Sequence, residues 1–313
     1  MKGPVHPPGL RFPTGAIIGK HLIIAGTYLG ESQQSFSLWA LDLNELTWSR
    51  IDPGTTLTTG SWSRGELWAE ANKYVVFGNR AGDLLEDYNR RLLNWNDAVY
   101  IELEAFGIYT YPTLPTPIEG QRMGLDALDA ELFADFQILC EDGRKIKCSG
   151  KLLEERWPWF KRQRVLYTEA ARSAIAKQTP TEFEIPLPDP LTDHKLEDRP
   201  DPRLAPRMLL LSEPYAITKA LLQYFYSGNL ITPLQHAPLV LSSLLLLGTI
   251  YELPHLSTLV KHIMHQTLSP ATSVGVYEVA TLCDSQNLQI RLVFPFHPTL
   301  HYLPLLTVSG LRI

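Results

Sequence analysis

Two stretches decide how this chain is read: DFQILCEDGRKIKCSGKLLEERWPWF, from Asp135 to Phe160, and LLLSEPYAITKALLQYFYSGNL, from Leu209 to Leu230. In the first, Phe136, Ile138 and Cys140 alternate with polar residues, as do Ile146 and Cys148. Between the two runs lies Asp142-Gly143, the dipeptide that best suits a tight turn needing positive φ, so the segment is expected to be a β-hairpin. Lys151 to Phe160 has helical composition and is broken by Pro158. In the second stretch, Leu209 to Leu211 is an apolar run of strand length. Ile217, Ala220, Leu221 and Tyr224 follow at helical spacing, and Ser227-Gly228-Asn229 should stop that helix. Three further helices are expected: Pro238 to Tyr251, Pro254 to Leu268 and Ala271 to Leu282. Two of them start with proline, which a first helical turn tolerates.

Taken in order, DFQI…DGRKIKC, LLEERWPWF, LLQYFYSGNL and YELPHLSTLV resemble the BTB/POZ domain family over roughly residues 125–290. The resemblance implies a small α/β module that self-associates or recruits partners. Its core positions would be Asp135, Phe136, Ile138, Leu153, Leu222 and Phe225. Two departures stand out. The family usually has a histidine after the second strand, where this chain has Ser149, and an insert at about 178–207 interrupts the module. Upstream, Leu125, Leu128 and Leu132 fall at helical spacing. In the family a helix here commonly crosses a homodimer, so these leucines are the candidate dimer interface. A helix packing on its own domain is the alternative.

Outward toward the N-terminus the texture changes. HLIIAGTYLG from His21 and FSLWALDLNELTWSRI from Phe36 are echoed by NKYVVFGNRAG from Asn72 and NDAVYIELEAFGIYTY from Asn96. Gly26 and Gly78 lie 52 positions apart, near the repeat length of kelch propeller blades. Gly26, Asp42, Trp48 and Gly78 resemble kelch positions, although Thr27 and Asn79 stand where the second glycine of the usual pair would be. The expected fold is therefore α+β. An antiparallel N-terminal region, a partial kelch propeller of about two blades at 1–115, precedes the α/β BTB/POZ-like domain at 116–292 and an irregular tail at 293–313. Two blades alone would leave sheet edges open, since a propeller needs about four to eight to close.

Composition narrows the function classes. The net charge of −5 is dispersed over 313 residues, so no basic face for nucleic acid emerges. Cys140, Cys148 and Cys283 are expected as reduced thiols, consistent with a cytoplasmic protein. No signal peptide is visible, and the apolar run Leu244–Leu247 is far too short to span a bilayer. GSWSRG at 60–65 is one residue too long for a nucleophile elbow, and no phosphate-binding glycine loop occurs. His255, His262 and His265 share a helix without a supporting cysteine or carboxylate set and are expected on its surface. The segment 179–207 holds seven prolines and dense charge, and reads as a solvated excursion. YPTLPTP at 111–117 reads as an extended linker.

These readings converge on a non-enzymatic adaptor with no cofactor, no metal and no membrane or nucleic-acid partner. The kelch-like region would hold one protein, and the BTB/POZ-like domain would form a homodimer or dock a second. The module order resembles kelch-BTB regulators of signalling and cell polarity, a fungal Ras-activating adaptor among them. Two alternatives stand beside it: a substrate receptor on a cullin scaffold, and a hydrolytic or redox enzyme built on a propeller. The second lacks a convergent acid, base and nucleophile.

Overall fold

The structure is a computed structural model and describes residues 6–30, 34–53, 55, 57–177, 207–289, 291 and 311–312. It is a mixed α+β fold with several antiparallel sheets and no closed barrel among the described residues. The chain divides into two compact units: residues 1–112 with 265–313, and residues 113–264. One break falls within the YPTLPTP segment and the other between Met264 and His265. Almost all of the proposed insert, and all of the tail except 311–312, lie outside the described residues.

The first unit is built from two four-stranded sheets. Strands β1 (Arg11–Ile18), β2 (His21–Leu29), β3 (Gln34–Asp42) and β4 (Thr47–Ile51) form an antiparallel meander. The second sheet has β5 (Ser61–Trp68), β6 (Lys73–Asn79) and β7 (Asp97–Glu102) in the same order, with β11 (Leu311–Arg312) added antiparallel to β7. Side chains alternate along a strand, so β2 and β3 each feed two apolar layers. Ile23, Ala25, Phe36, Leu38 and Ala40 join Trp62, Tyr74 and Val76 in the core shared by both sheets. On the opposite face, Trp39 and Leu41 bury themselves with Trp48. Thr14 Oγ1 and Tyr74 Oη, 2.7 Å apart, tie the sheets together.

The segment from His265, assigned on sequence to the second domain, clusters with the first unit. The reason is local and polar. His265 Nε2 lies 3.1 Å from Glu104 Oε1, and Asn287 Nδ2 donates to Glu104 Oε2 at 3.1 Å. The Tyr109 ring lies 4.9 Å from the His265 ring. The Arg291 side chain fills the space over Gly107.

The second unit has the small mixed sheet β10-β8-β9 and a set of helices. β8 (Phe136–Leu139) pairs antiparallel with β9 (Lys145–Cys148), and β10 (Met208–Leu210) pairs parallel with β8. Gly143 takes φ +79 in the hairpin turn, where Asp142 accepts from Arg144. The proline at 158 divides the helical stretch into α3 (Gly150–Arg156) and α4 (Pro158–Lys177). Between them Trp157 is extended, as a residue preceding proline prefers. α5 (Tyr215–Ser227) ends at Gly228, whose φ of +71 supplies the left-handed cap. α6 (Pro238–Ile250) and α7 (Pro254–Thr267) follow, and α8 (Ser273–Leu282) belongs to the first unit.

Trp157 sits at the centre of the second unit and is fully buried. Its ring stacks 5.0 Å from Phe225 and 5.7 Å from Phe160, with Tyr251 edge-on at 4.9 Å. Offset and edge-on aromatic pairs of this kind stabilise beyond their area burial.

Candidate protein-docking surfaces

Several residues singled out from the sequence perform structural work. Phe136, Ile138, Leu153, Leu222 and Phe225 are buried. Asp135 Oδ1 accepts from Gly150 N at 2.6 Å, at the start of α3. Ser149 caps α3 through Leu152 N, and its own N–H donates to Tyr226 Oη at 2.7 Å. Cys140 and Cys148 are free and buried, and burial pushes the Cys148 thiol up to about 12, which leaves it unreactive.

In the first unit, Asp42 closes the β3–β4 turn. Its Oδ1 accepts from Asn44 N and Glu45 N, and its Oδ2 pairs with Lys20 Nζ at 2.8 Å. Burial opposes ionisation of Asp42. The Lys20 and backbone hydrogen bonds outweigh it and hold the carboxyl below its ordinary range. Gly26 and Gly78 have matching tasks. A Cβ on Gly26 would lie 2.9 Å from Arg11 O, and one on Gly78 would lie 2.2 Å from Ser61 O. Each glycine permits close approach of a neighbouring strand beside a bulge: Arg11/Thr14 in β1 and Trp62/Arg64 in β5.

Two expectations need correction. Leu125, Leu128 and Leu132 do not share an exposed face. Helix α2 (Ile118–Asp129) packs on α5, so closely that a Cβ on Gly124 would lie 2.2 Å from Tyr226 O. That contact buries Leu128 inside its own unit and half-buries Leu125, and Leu132 lies beyond the helix. The apolar side chains left exposed are Ile118 and Met123 on α2, then Leu132 and Phe133 after it. Phe133 is 88% exposed and holds a left-handed φ of +56, uncommon for a bulky residue. One of the three histidines expected on the surface is not there, and the other two, His255 and His262, are half-buried. His265 is buried, and His255 is bonded at both ring nitrogens, to Tyr224 Oη at 3.2 Å and Thr113 O at 3.0 Å. Among the described residues no group of three metal-ligating side chains converges.

The sequence reading missed a cavity of about 590 Å³ in the first unit. One wall is β1 and β5 at their bulges, and the other is α1 (Leu84–Arg90), a helix within what reads as a variable loop. A signal for α1 was available: Asp83 caps it by accepting from Glu86 N at 2.8 Å, and Asp-x-x-Glu marks such starts. Phe12, Arg64, Tyr88 and Arg91 line the cavity. Bulges re-aim side chains, and no periodicity in the sequence announces one.

No family model matches the chain. It is 31% identical over 289 residues to Protein ral2 of Schizosaccharomyces pombe (strain 972 / ATCC 24843). The alignment takes in 91% of this chain and 45% of that protein, so the chain spans about half the length of the relative it matches. No described helix is long and apolar enough to cross a membrane.

Proposed function

We propose that the chain is a non-enzymatic adaptor of a signalling pathway, with a separate protein-binding surface on each of its two units. The observation that carries this reading is the exposure of large apolar side chains in both units. Phe12, Leu92 and Leu93 are exposed around the first-unit cavity, and Met123, Leu132 and Phe133 in the second unit. Exposed apolar groups gathered with arginine and aromatic residues are the usual material of protein interfaces. The two four-stranded antiparallel sheets support a partial kelch-like region of two blades. The hairpin, parallel third strand and helices of the second unit support a BTB/POZ-like module that docks a protein or a second copy of the chain. Similarity to Protein ral2 across most of the chain supports one shared architecture rather than a chance joining of modules.

The test is affinity capture with the tagged full chain and two surface variants. Met123→Glu with Phe133→Glu should remove one set of partners, and Arg64→Glu with Arg91→Glu a different set. Loss of the same set by both variants, or capture of nothing by the unmodified chain, overturns the adaptor reading.

A further inference from the structure

We infer that the first-unit cavity is a recognition site for an acidic peptide with an apolar anchor residue; this deepens the adaptor reading and rests on it. The argument begins with charge. Arg64 is half-buried and Arg91 exposed, and both line the cavity. Neither guanidinium makes a hydrogen bond or ion pair with another described residue. The carboxylate in the lining, Asp87, is engaged by Asn94 Nδ2, and the salt bridge of the neighbouring helix turn joins Arg90 to Glu86. Two cations without an ion pair therefore line a space that holds one carboxylate, which leaves the lining with an excess of one positive charge. Arginine presents a planar fork that meets a carboxylate through two parallel hydrogen bonds, which makes these groups suited to aspartate or glutamate side chains.

Thr27, Ser61, Ser63 and Asn89 add neutral polar groups to the lining, and the remaining part is apolar. Phe12 and Tyr88 lie 5.8 Å apart between ring centroids, with Leu84 and Leu92 beside them. A volume of about 590 Å³ accommodates one or two large side chains, within the range of specific ligand sites. Aromatic and arginine residues dominate binding energy where they surround one such pocket.

Backbone geometry at the cavity points the same way. Phe12 has φ +49 at the β1 bulge, Arg64 follows the β5 bulge, and Arg91 has φ +56 at the end of α1. Left-handed conformations in non-glycine residues, and bulges, cost free energy, and they persist where the surrounding fold fixes a side chain in a required direction. The two bulges converge on one cavity and each contributes a lining side chain, Phe12 and Arg64, while the left-handed Arg91 is the C-cap that ends α1 beside them. A basic peptide would meet two like charges here, and a purely acidic one would leave the aromatic wall unfilled.

The experiment uses the full chain and fluorescein-labelled hexapeptide pools, read by anisotropy. One pool has Asp or Glu flanking a central Leu, Ile, Phe or Trp pair. A second has Lys or Arg as the flanks, and a third has Gly at the centre. The acidic pool with apolar centre should bind at least about tenfold more tightly than either control, and the advantage should shrink with added salt. Arg64→Gln with Arg91→Gln should cut that binding by about tenfold or more, and Phe12→Ala by several-fold, with far-UV circular dichroism unchanged. Phe12→Leu, which keeps an apolar wall, should retain most of the binding and guards against a folding artefact. Equal binding of the acidic and basic pools, equal binding of the Gly-centred pool, or binding unmoved by the paired glutamines overturns the proposal. Failure here with partner capture still separable by the two surface variants removes this site and leaves the adaptor reading standing.

Discussion

In the first unit, glycines let strands pass each other beside a bulge; in the second, a glycine lets a helix pass a helix. Gly26 and Gly78 face irregular register in β1 and β5, whereas Gly124 meets the regular backbone of α5 at Tyr226. The consequences differ. A close helix crossing drives interior side chains together, and Leu128 disappears beneath α5. A bulge instead turns side chains out of the ladder, and Phe12 and Arg64 end at a cavity. The second unit spends its specific geometry on packing, and the first leaves part of it free for a ligand.

The comparison breaks first at the aromatic centre of the second unit. Trp157→Ala should destabilise that unit by about 3–5 kcal/mol, the usual range for a buried tryptophan truncation. Chemical denaturation of the full chain, with the unit's transition followed separately, measures it. Trp157→Phe should cost far less, because the indole Nε1 is buried without a hydrogen-bond partner and loses nothing on removal. Equal losses for the two variants would show that the stacked rings around Trp157 do not organise this unit.

Next in size is Leu222→Ala on α5, expected to cost about 2–5 kcal/mol since Leu222 is fully buried among helices. A loss under about half a kcal/mol in the same assay would contradict that burial.

The glycines sharpen the comparison within the first unit. Gly78→Ala places a Cβ 2.2 Å from Ser61 O and 2.8 Å from the Trp62 ring, and backbone must move to admit it. Overpacking of this kind costs about 1–3 kcal/mol, occasionally more. Gly26→Ala, at 2.9 Å from Arg11 O, should cost less. Reversal of that order, read from denaturation midpoints, would mean that the two bulges are not equivalent supports of their sheets.

These same elements show what a sequence discloses. The hairpin at Asp142-Gly143, the break at Pro158 and the stop at Gly228 follow from turn chemistry and from proline's missing N–H, so they are legible residue by residue. The strand expected from Leu209 is found one residue earlier, at Met208–Leu210. Period alone could not say which molecule covers Leu128, since an amphipathic face does not name its neighbour. Glu104 could not be linked to His265 and Asn287 across more than 160 positions, because nothing local marks a distant hydrogen bond. The cavity was hidden for a related reason. Nothing in the residues around Phe12 or Arg64 announces the register shift that brings each of them to the cavity.

The smallest effect compares two turn carboxylates, one in each unit. Asp142 accepts from Arg144 and from Tyr215 N, and these hydrogen bonds hold its carboxyl down at about 2. Asp42 is lowered against the opposing effect of burial. In both, the folded state favours the ionised form, so the stability they contribute is present above the ordinary carboxyl value of 3.8 and fades as pH falls. For Asp142 the loss should run down to about pH 2. Because Asp142 is exposed, solvent screening keeps its contribution to folding small, and the titration itself is the better readout. Carboxyl-detected NMR should show Asp142 titrating well below 3.8. Arg144→Ala should move it part of the way back, with the Tyr215 N–H retaining the remainder, while Asp42 stays where it was. An Asp142 midpoint unmoved by Arg144→Ala would assign the depression to the backbone of the turn alone, and the guanidinium over the Tyr215 ring, 4.1 Å from its centroid, would then be held there by the ring rather than by the carboxylate.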